Sequence, residues 1–419
     1  MTTTNSMKRH AAAVFCLIAG SVAGLTGCES ERHLIGDLGN TGTGGTASGT
    51  GGTAGVGAGG TGGQGGVMGP VARPLVISAR EAVRRLALVI WNDVPDAALN
   101  TEADSGTIAT SEDVRKLALR MLADPRARAG VGGFYRWWLK LDTIAGLNKD
   151  AALFPQFTPE LRADMATETE LLGVHVTLDI DGVLATLYTA PFSFLTERLA
   201  AIYGVAGVTG TMHRKVALDP ATRAGIVTQP GIMALTSVAT RTSPTYRGKF
   251  VAEQMLCMGI PAPPPDVPPF PTTIPPNTTT RQQQTTLTSN PSCAACHSLM
   301  DPTGFTLEGL DPIGRTRTTD NGGLVDTSAN LGVSLNGQLG AAVNGPRDLA
   351  QHLSTATETA RCLAKQWLTF ALGRDLNTAA DLKEADGVHS LFAKAGLNLQ
   401  QLIAAAVQTD LFLGRDFLR

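Results

Sequence analysis

The chain has 419 residues, room for two or three small domains, with 43% hydrophobic and only 5% aromatic residues. Its 34 Lys and Arg against 36 Asp and Glu leave a formal charge of -2. That balance gives no electrostatic footprint for nucleic acid or for a strongly charged partner.

The N-terminus reads as an export signal. Lys8 and Arg9 form a basic start, and an apolar run from Ala11 to Leu25 follows, too short for a comfortable membrane span. The run closes on Leu-Thr-Gly-Cys, the pattern of a bacterial lipobox, with Cys28 as the residue to be lipidated. The alternative is an ordinary signal peptide cut near Gly24. After Cys28 comes a tether of Gly, Thr and Ala that has almost no side chains able to build a core, so a disordered linker is expected. Together these predict a globular body held by a lipid at the outer membrane or cell surface, facing periplasm or exterior.

The body reads as mainly α, a set of helical bundle domains. Ser78 with Glu81 predicts a capped helix start, and Ser111 leads Val114, Leu117 and Met121 at helical spacing. Phe134, Tyr135, Trp137 and Trp138 read as core anchors. Thr158-Pro159 starts another helix, and "FLTERLAAIYG" predicts one ending at Gly204. A helix from about Gly248 to Cys257 precedes a proline-rich arm, Pro261 to Pro276, which is extended and stiff. The arm is expected to strap across the protein's own surface. "DNGGLVDTSANLGVSLNGQLG" is turn-rich and suits a small hairpin. Two helices follow Gly345, the second ending at Gly373, and "LQQLIAAAVQTDLFLGR" gives a last one. The domain plan is a signal over 1–28, a tether over 29–75, a helical domain over 76–215, a domain with the arm and a cysteine-histidine run over 216–344, and a C-terminal helical domain over 345–419.

Six cysteines need places. Cys16 leaves with the signal and Cys28 takes the lipid. Cys257 and Cys362 are spare, and spare cysteines in an exported chain tend to pair, so a disulfide is expected; the alternative is two buried free thiols. Cys293, Cys296 and His297 form a Cys-x-x-Cys-His run. Zinc needs about four ligands, and His175, His213, His352 and His389 are scattered. A thioredoxin-like pair needs a βαβ context that is absent from the pattern. A plain disulfide would leave His297 without a task. One covalent haem c uses all three residues: two thiols on neighbouring helical turns add to the vinyl groups, and His297 is the proximal iron ligand. The distal ligand is undefined. Met300 lies on the proximal side, His352 is a weak candidate, and Met233, Met255 and Met258 read as packing. Phe305, Leu307 and Leu310 could wall the haem, and Arg315 and Arg317 could pair with propionates or simply face solvent.

The runs "RTSPTYRGKFVAEQMLCMGIPAPPPDVP", "CAACHSLMDPTGFTLEGLDPIGRTR" and "CLAKQWLTFALGRDL" resemble the planctomycete-type cytochrome c-like proteins, built of consecutive conserved domains of unknown function. "RRLALVIWNDVPDAAL", "RMLADPRARAGVGGFYRWWLKL" and "FLTERLAAIYGV" resemble the domain that precedes them. The resemblance covers roughly residues 80 to 418. It implies haem binding through Cys293, Cys296 and His297, in a family mostly without assigned activity. Long members carry further N-terminal cytochrome-like and carbohydrate-binding-like domains, where this chain has the tether.

Three functions fit these features. The first is a surface-anchored, single-haem electron carrier serving an unidentified redox partner protein. The second is a haem oxidoreductase with an open distal site, acting on an extracellular substrate. The third is a non-haem surface binding module whose motif is a disulfide loop. Whether the protein is an enzyme is left open, because no Ser-His-Asp motif, phosphate loop or helical His-Glu pair occurs.

Overall fold

Hydroxyl and carboxylate caps set where many of the helices begin. The computed structural model describes residues 72–263, 270–271 and 273–414. The expected signal, Cys28 and the tether up to residue 71 lie outside the described residues, as do 264–269 and 272 of the proline arm. The first helix, α1 (Ala79–Leu86), starts where Ser78 accepts a hydrogen bond from the Glu81 amide. The Glu81 carboxylate pairs with Arg84 and Arg85 rather than turning back to the cap. The helix continues as a π-helical turn, Ala87–Trp91. After α2 (Ala97–Asp104), helix α3 (Ser111–Leu122) is capped by Thr110 in a reciprocal box with Asp113. The cap is thus one residue ahead of the expected Ser111, because Thr110 keeps the extended backbone a cap requires.

Helix α4 (Ala127–Trp138) carries the aromatic run, and α5 (Pro159–Leu178) starts at the Thr158 cap with proline in its first turn. Then come α6 (Leu184–Thr189), strand β1 (Phe192–Leu195), α7 (Glu197–Tyr203) and strand β2 (Arg214–Ala217). Gly204 stops α7 in the left-handed conformation, φ 71°. The two strands pair antiparallel, Phe192 opposite Ala217, in a region where the sequence pattern suggested only helix.

Helix α8 (Pro230–Leu235) leads to α9 (Pro244–Phe250), which runs on as a π-helical turn, Val251–Met255. Ser243 caps α9 and Pro244 occupies its first turn, so this helix starts before the expected Gly248. Helices α10 (Thr280–Leu287) and α11 (Pro291–Phe305) follow. The turn-rich segment makes three small antiparallel pairs. These are β3 (Thr319–Asp320) with β4 (Gly323–Leu324), β5 (Ser328–Asn330) with β8 (Ala342–Asn344), and between the latter two β6 (Ser334–Leu335) with β7 (Gln338–Leu339). The chain ends in α12 (Gly345–Thr355), α13 (Thr357–Leu372), α14 (Ala379–Lys394), α15 (Leu399–Val407) and α16 (Asp410–Leu413). The protein is therefore mainly α. Among the described residues no helix is long and apolar enough to cross a membrane.

Of two apolar clusters, the smaller gathers Phe154, Leu161, Met165, Leu195, Leu199 and Ile313, and the larger draws residues from Ala82 to Leu413. At its centre Phe134 of α4 stacks on Trp367 of α13, with centroids 3.9 Å apart. Trp138 is buried beside them and donates its indole N–H to the Gln254 carbonyl at 2.7 Å. Three residues on, Cys257 is joined to Cys362 of α13, the pairing the cysteine count points to. The C-terminal part of the proline arm lies on the protein's own surface. Phe270 lies under the Arg241 guanidinium, 3.4 Å to the ring centroid, and Asn321 donates to the Pro275 carbonyl.

A buried polar knot sits between α5 and β1. Glu168 accepts from Ser193 Oγ and from the Tyr203 hydroxyl, both at 2.6 Å, and its other carboxyl oxygen has no partner. Burial pushes its carboxyl up to about 7. Between the ordinary carboxylate range and that value the folded chain holds a proton that the unfolded chain has released. Stability should therefore fall as pH rises through this window. Thermal midpoints measured across it should show that slope in the native chain and a flatter one in Glu168→Gln.

A second prediction comes from two helical glycines. A Cβ on Gly248 would run into the Met300 carbonyl of α11, whereas one on Gly387 of α14 would meet open space. Gly248→Ala should cost about 3 kcal/mol in denaturant unfolding. Gly387→Ala should instead gain about 0.5–1 kcal/mol, since it only stiffens an exposed helix.

Candidate functional site

Helix α11 presents the Cys-x-x-Cys-His run on its first turns. Asn290 caps it and Pro291 occupies its first turn. Cys293 and Cys296 are three residues apart on this helix, so their side chains share a face. Both are free thiols and partly exposed. His297 follows, with a side chain 25% exposed.

Two close backbone contacts fix this helix against α9. Gly248 meets the Met300 carbonyl, and Gly304 meets the Pro244 carbonyl, at distances no Cβ would permit. A third contact comes from Gly332, which backs onto the Ser298 carbonyl. That carbonyl is free of its usual helical partner, because Pro302 has no amide hydrogen to give it.

The crossing brings Thr245 of α9 to the imidazole. Asp301, one turn beyond His297, is nearly fully buried, and its carboxylate oxygens lie 3.0 and 3.1 Å from His297 Nδ1. Thr245 Oγ1 donates to the same carboxylate at 2.7 Å, and Gln284 Nε2 of α10 donates to it at 3.2 Å. A carboxylate only accepts, so Nδ1 is the donor in this contact, and in the neutral ring that tautomer leaves the lone pair on Nε2. Nε2 has no hydrogen-bond partner among the described residues. Tyr246 and Leu287, 50% and 39% exposed, are exposed hydrophobics on the helices that supply Thr245 and Gln284.

The segment after α11 is held by a buried arginine. Arg247 Nη1 donates to the carbonyls of Leu307 and Leu310 and to Glu308, at 2.7 to 2.9 Å. Its Nη2 donates to the Asp311 carbonyl at 3.0 Å. Burial pulls this guanidinium down to about 10, with Glu308 opposing the shift.

The residues expected to wall a haem or to pair with its propionates all have partners within the fold. Leu307 and Leu310 belong to the apolar core, and Phe305 is buried under the Arg281 guanidinium, 4.6 Å away. Arg315 pairs with Asp311 and stays 37% exposed, and Arg317 pairs with Glu308 and Asp320 and is mostly buried. Met233, Met255 and Met300 are buried, and Met258 packs against the core. His352 lies on α12, which packs on α6 and β8, whereas α11 packs on α9 and β5. The sequence reading missed Asp301, Thr245 and Gln284. Asp301 had a local signal, an acid four residues after a histidine; the other two come from separate helices and had none. Two concavities, around Arg281 and Asn344 and around Arg241 and Arg317, do not include the motif cysteines or His297. Among the described residues no group of three or more His, Cys, Asp or Glu is placed to hold a bare metal ion.

The donor set nevertheless fits a haem c. Two free thiols and one imidazole with an open Nε2 stand together on a partly exposed turn, and the opposite ring nitrogen is already occupied.

Three family models match the chain in succession. Residues 77–205 match a protein of unknown function (DUF1592), 223–320 match DUF1588 and 339–412 match DUF1585. No curated protein and no solved structure matches it. The second model spans the motif helix, and all three are domains of one family found in that order. The chain belongs to the planctomycete cytochrome-c-like domain family.

Proposed function

We propose that this chain is an exported, lipid-anchored protein that carries one covalent haem c and exchanges electrons with a partner protein. The observation that carries this reading is the partly exposed turn of α11, with two unpaired thiols beside an imidazole whose Nε2 is free. Membership of a cytochrome-c-like family supports it. Cys293 and Cys296 would each add across a haem vinyl group, sulfur to one carbon and hydrogen to the other, which needs no outside oxidant. His297 would bind the iron through Nε2. The bound group would supply one-electron exchange. The protein's part is to keep two thiols reduced, orient one ring and leave the site close to the surface. Cys28 would hold the body at the membrane through its lipid.

The packing of the upstream methionines supports a second reading. Met233 and Met255 are enclosed in the core, and Met258 packs partly buried against it. A distal position left open would let the iron bind small ligands, as a haem oxidoreductase requires. Rapid binding of cyanide or carbon monoxide by the purified protein would favour that reading over a pure carrier.

The test is direct. Protein made in a host with haem-attachment machinery should stain for haem on a denaturing gel, and the double variant Cys293→Ser/Cys296→Ser should not. A native protein that stays colourless, with thiol reagents labelling Cys293 and Cys296 in full by peptide mass spectrometry, would refute the proposal.

A further inference from the structure

We propose that Asp301 is a positioning residue that makes His297 a strongly electron-donating ligand and so holds the bound iron at low potential. This rests on the haem reading above and deepens it.

The argument starts from what faces the ring. His297 Nδ1 lies nearest the Asp301 carboxylate, at 3.0 and 3.1 Å, with Gln284 Nε2 at 3.3 Å and Thr245 Oγ1 at 3.4 Å farther off. The carboxylate is one turn along the same helix, 5% exposed, so its charge reaches the ring through little water. A full negative charge accepting the Nδ1 proton gives the imidazole partial anionic character. That raises the basicity of Nε2, the atom left to bind metal. A more basic ligand stabilises the ferric over the ferrous state, because the oxidised iron carries the extra positive charge.

Two further donors set how strongly the carboxylate acts on the ring. Thr245 Oγ1 donates to Oδ1 at 2.7 Å, and Gln284 Nε2 donates to Oδ2 at 3.2 Å. Each spreads part of the negative charge away from His297. Thr245 and Gln284 also fix the plane of the carboxylate, and with it the ring. The geometry therefore contains both a donor-strengthening group and its moderators, contributed by α9, α10 and α11.

This arrangement makes two predictions of opposite sign. Asp301→Asn keeps the shape and removes the charge. Its haem should remain covalently attached, and its midpoint potential should rise by at least a tenfold change in the reduction equilibrium, about 59 mV for one electron. Thr245→Val keeps the shape and removes one competing donor. The carboxylate then leans harder on His297, and the potential should fall. A residue that only supported the fold would not move the potential in opposite directions in the two variants.

The measurement is a spectroelectrochemical redox titration of full-length haem-loaded protein, with covalent attachment checked by haem stain. If Asp301→Asn does not fold, the direction of the Thr245→Val shift decides. Unchanged potentials in haem-loaded variants would overturn the role of Asp301 and leave the haem assignment standing. Absence of haem from the native protein would overturn both.

Discussion

The contact that the candidate site depends on is the backbone crossing of α9 and α11 at Gly248 and Gly304. Helices packed through ordinary side chains keep their axes 8 to 10 Å apart. Here each helix offers a glycine where it meets a carbonyl of the other, so they approach more closely. Only at that separation does a side chain as short as Thr245 reach the carboxylate that holds His297. One stretch of α9 thus supplies three things in succession: the hydroxyl of Thr245, the guanidinium of Arg247 and the missing side chain of Gly248. The first orients the site, the second secures the segment beyond it, and the third permits the approach.

Arg247 shows what that closeness costs. Its side chain is fully buried, and one of its nitrogens, Nε, has no partner. A buried charge is tolerated only when it is paired and hydrogen-bonded. Glu308 and three carbonyls of the loop after α11 meet that need, and Arg317 and Thr242 in turn satisfy Glu308. The loop is therefore shaped by the requirements of one guanidinium. This explains why Leu307 and Leu310 face inward. Their carbonyls are drawn to Arg247, and their side chains follow into the core.

Much of the helical plan is visible in the residues, because caps and stops are local. Thr158 with Pro159, and the glycines at 204 and 373, mark ends that depend only on their neighbours. Strands β1 and β2 are invisible because they are short and depend on a partner across a loop. Helix α14 has charged and apolar residues mixed around it, so its periodicity is weak. At the site the same division holds. Cys293, Cys296 and His297 announce themselves through spacing. The carboxylate that turns the ring is half-announced, by its place four residues on. Its two donors come from helices whose approach depends on the glycine crossing, which no local pattern encodes. The pairing of Cys257 with Cys362 is readable by elimination, although 105 residues separate them.

The stack of Phe134 on Trp367, with Trp138 reaching Gln254 and the disulfide alongside, joins stretches that match three separate family models. Divisions drawn along the chain therefore do not coincide with divisions in its interior. Excising any one stretch would leave a bare indole on one side of the cut and an unfilled hollow on the other. These segments complete one another's interior, so a cut between two of them is a cut through packed side chains.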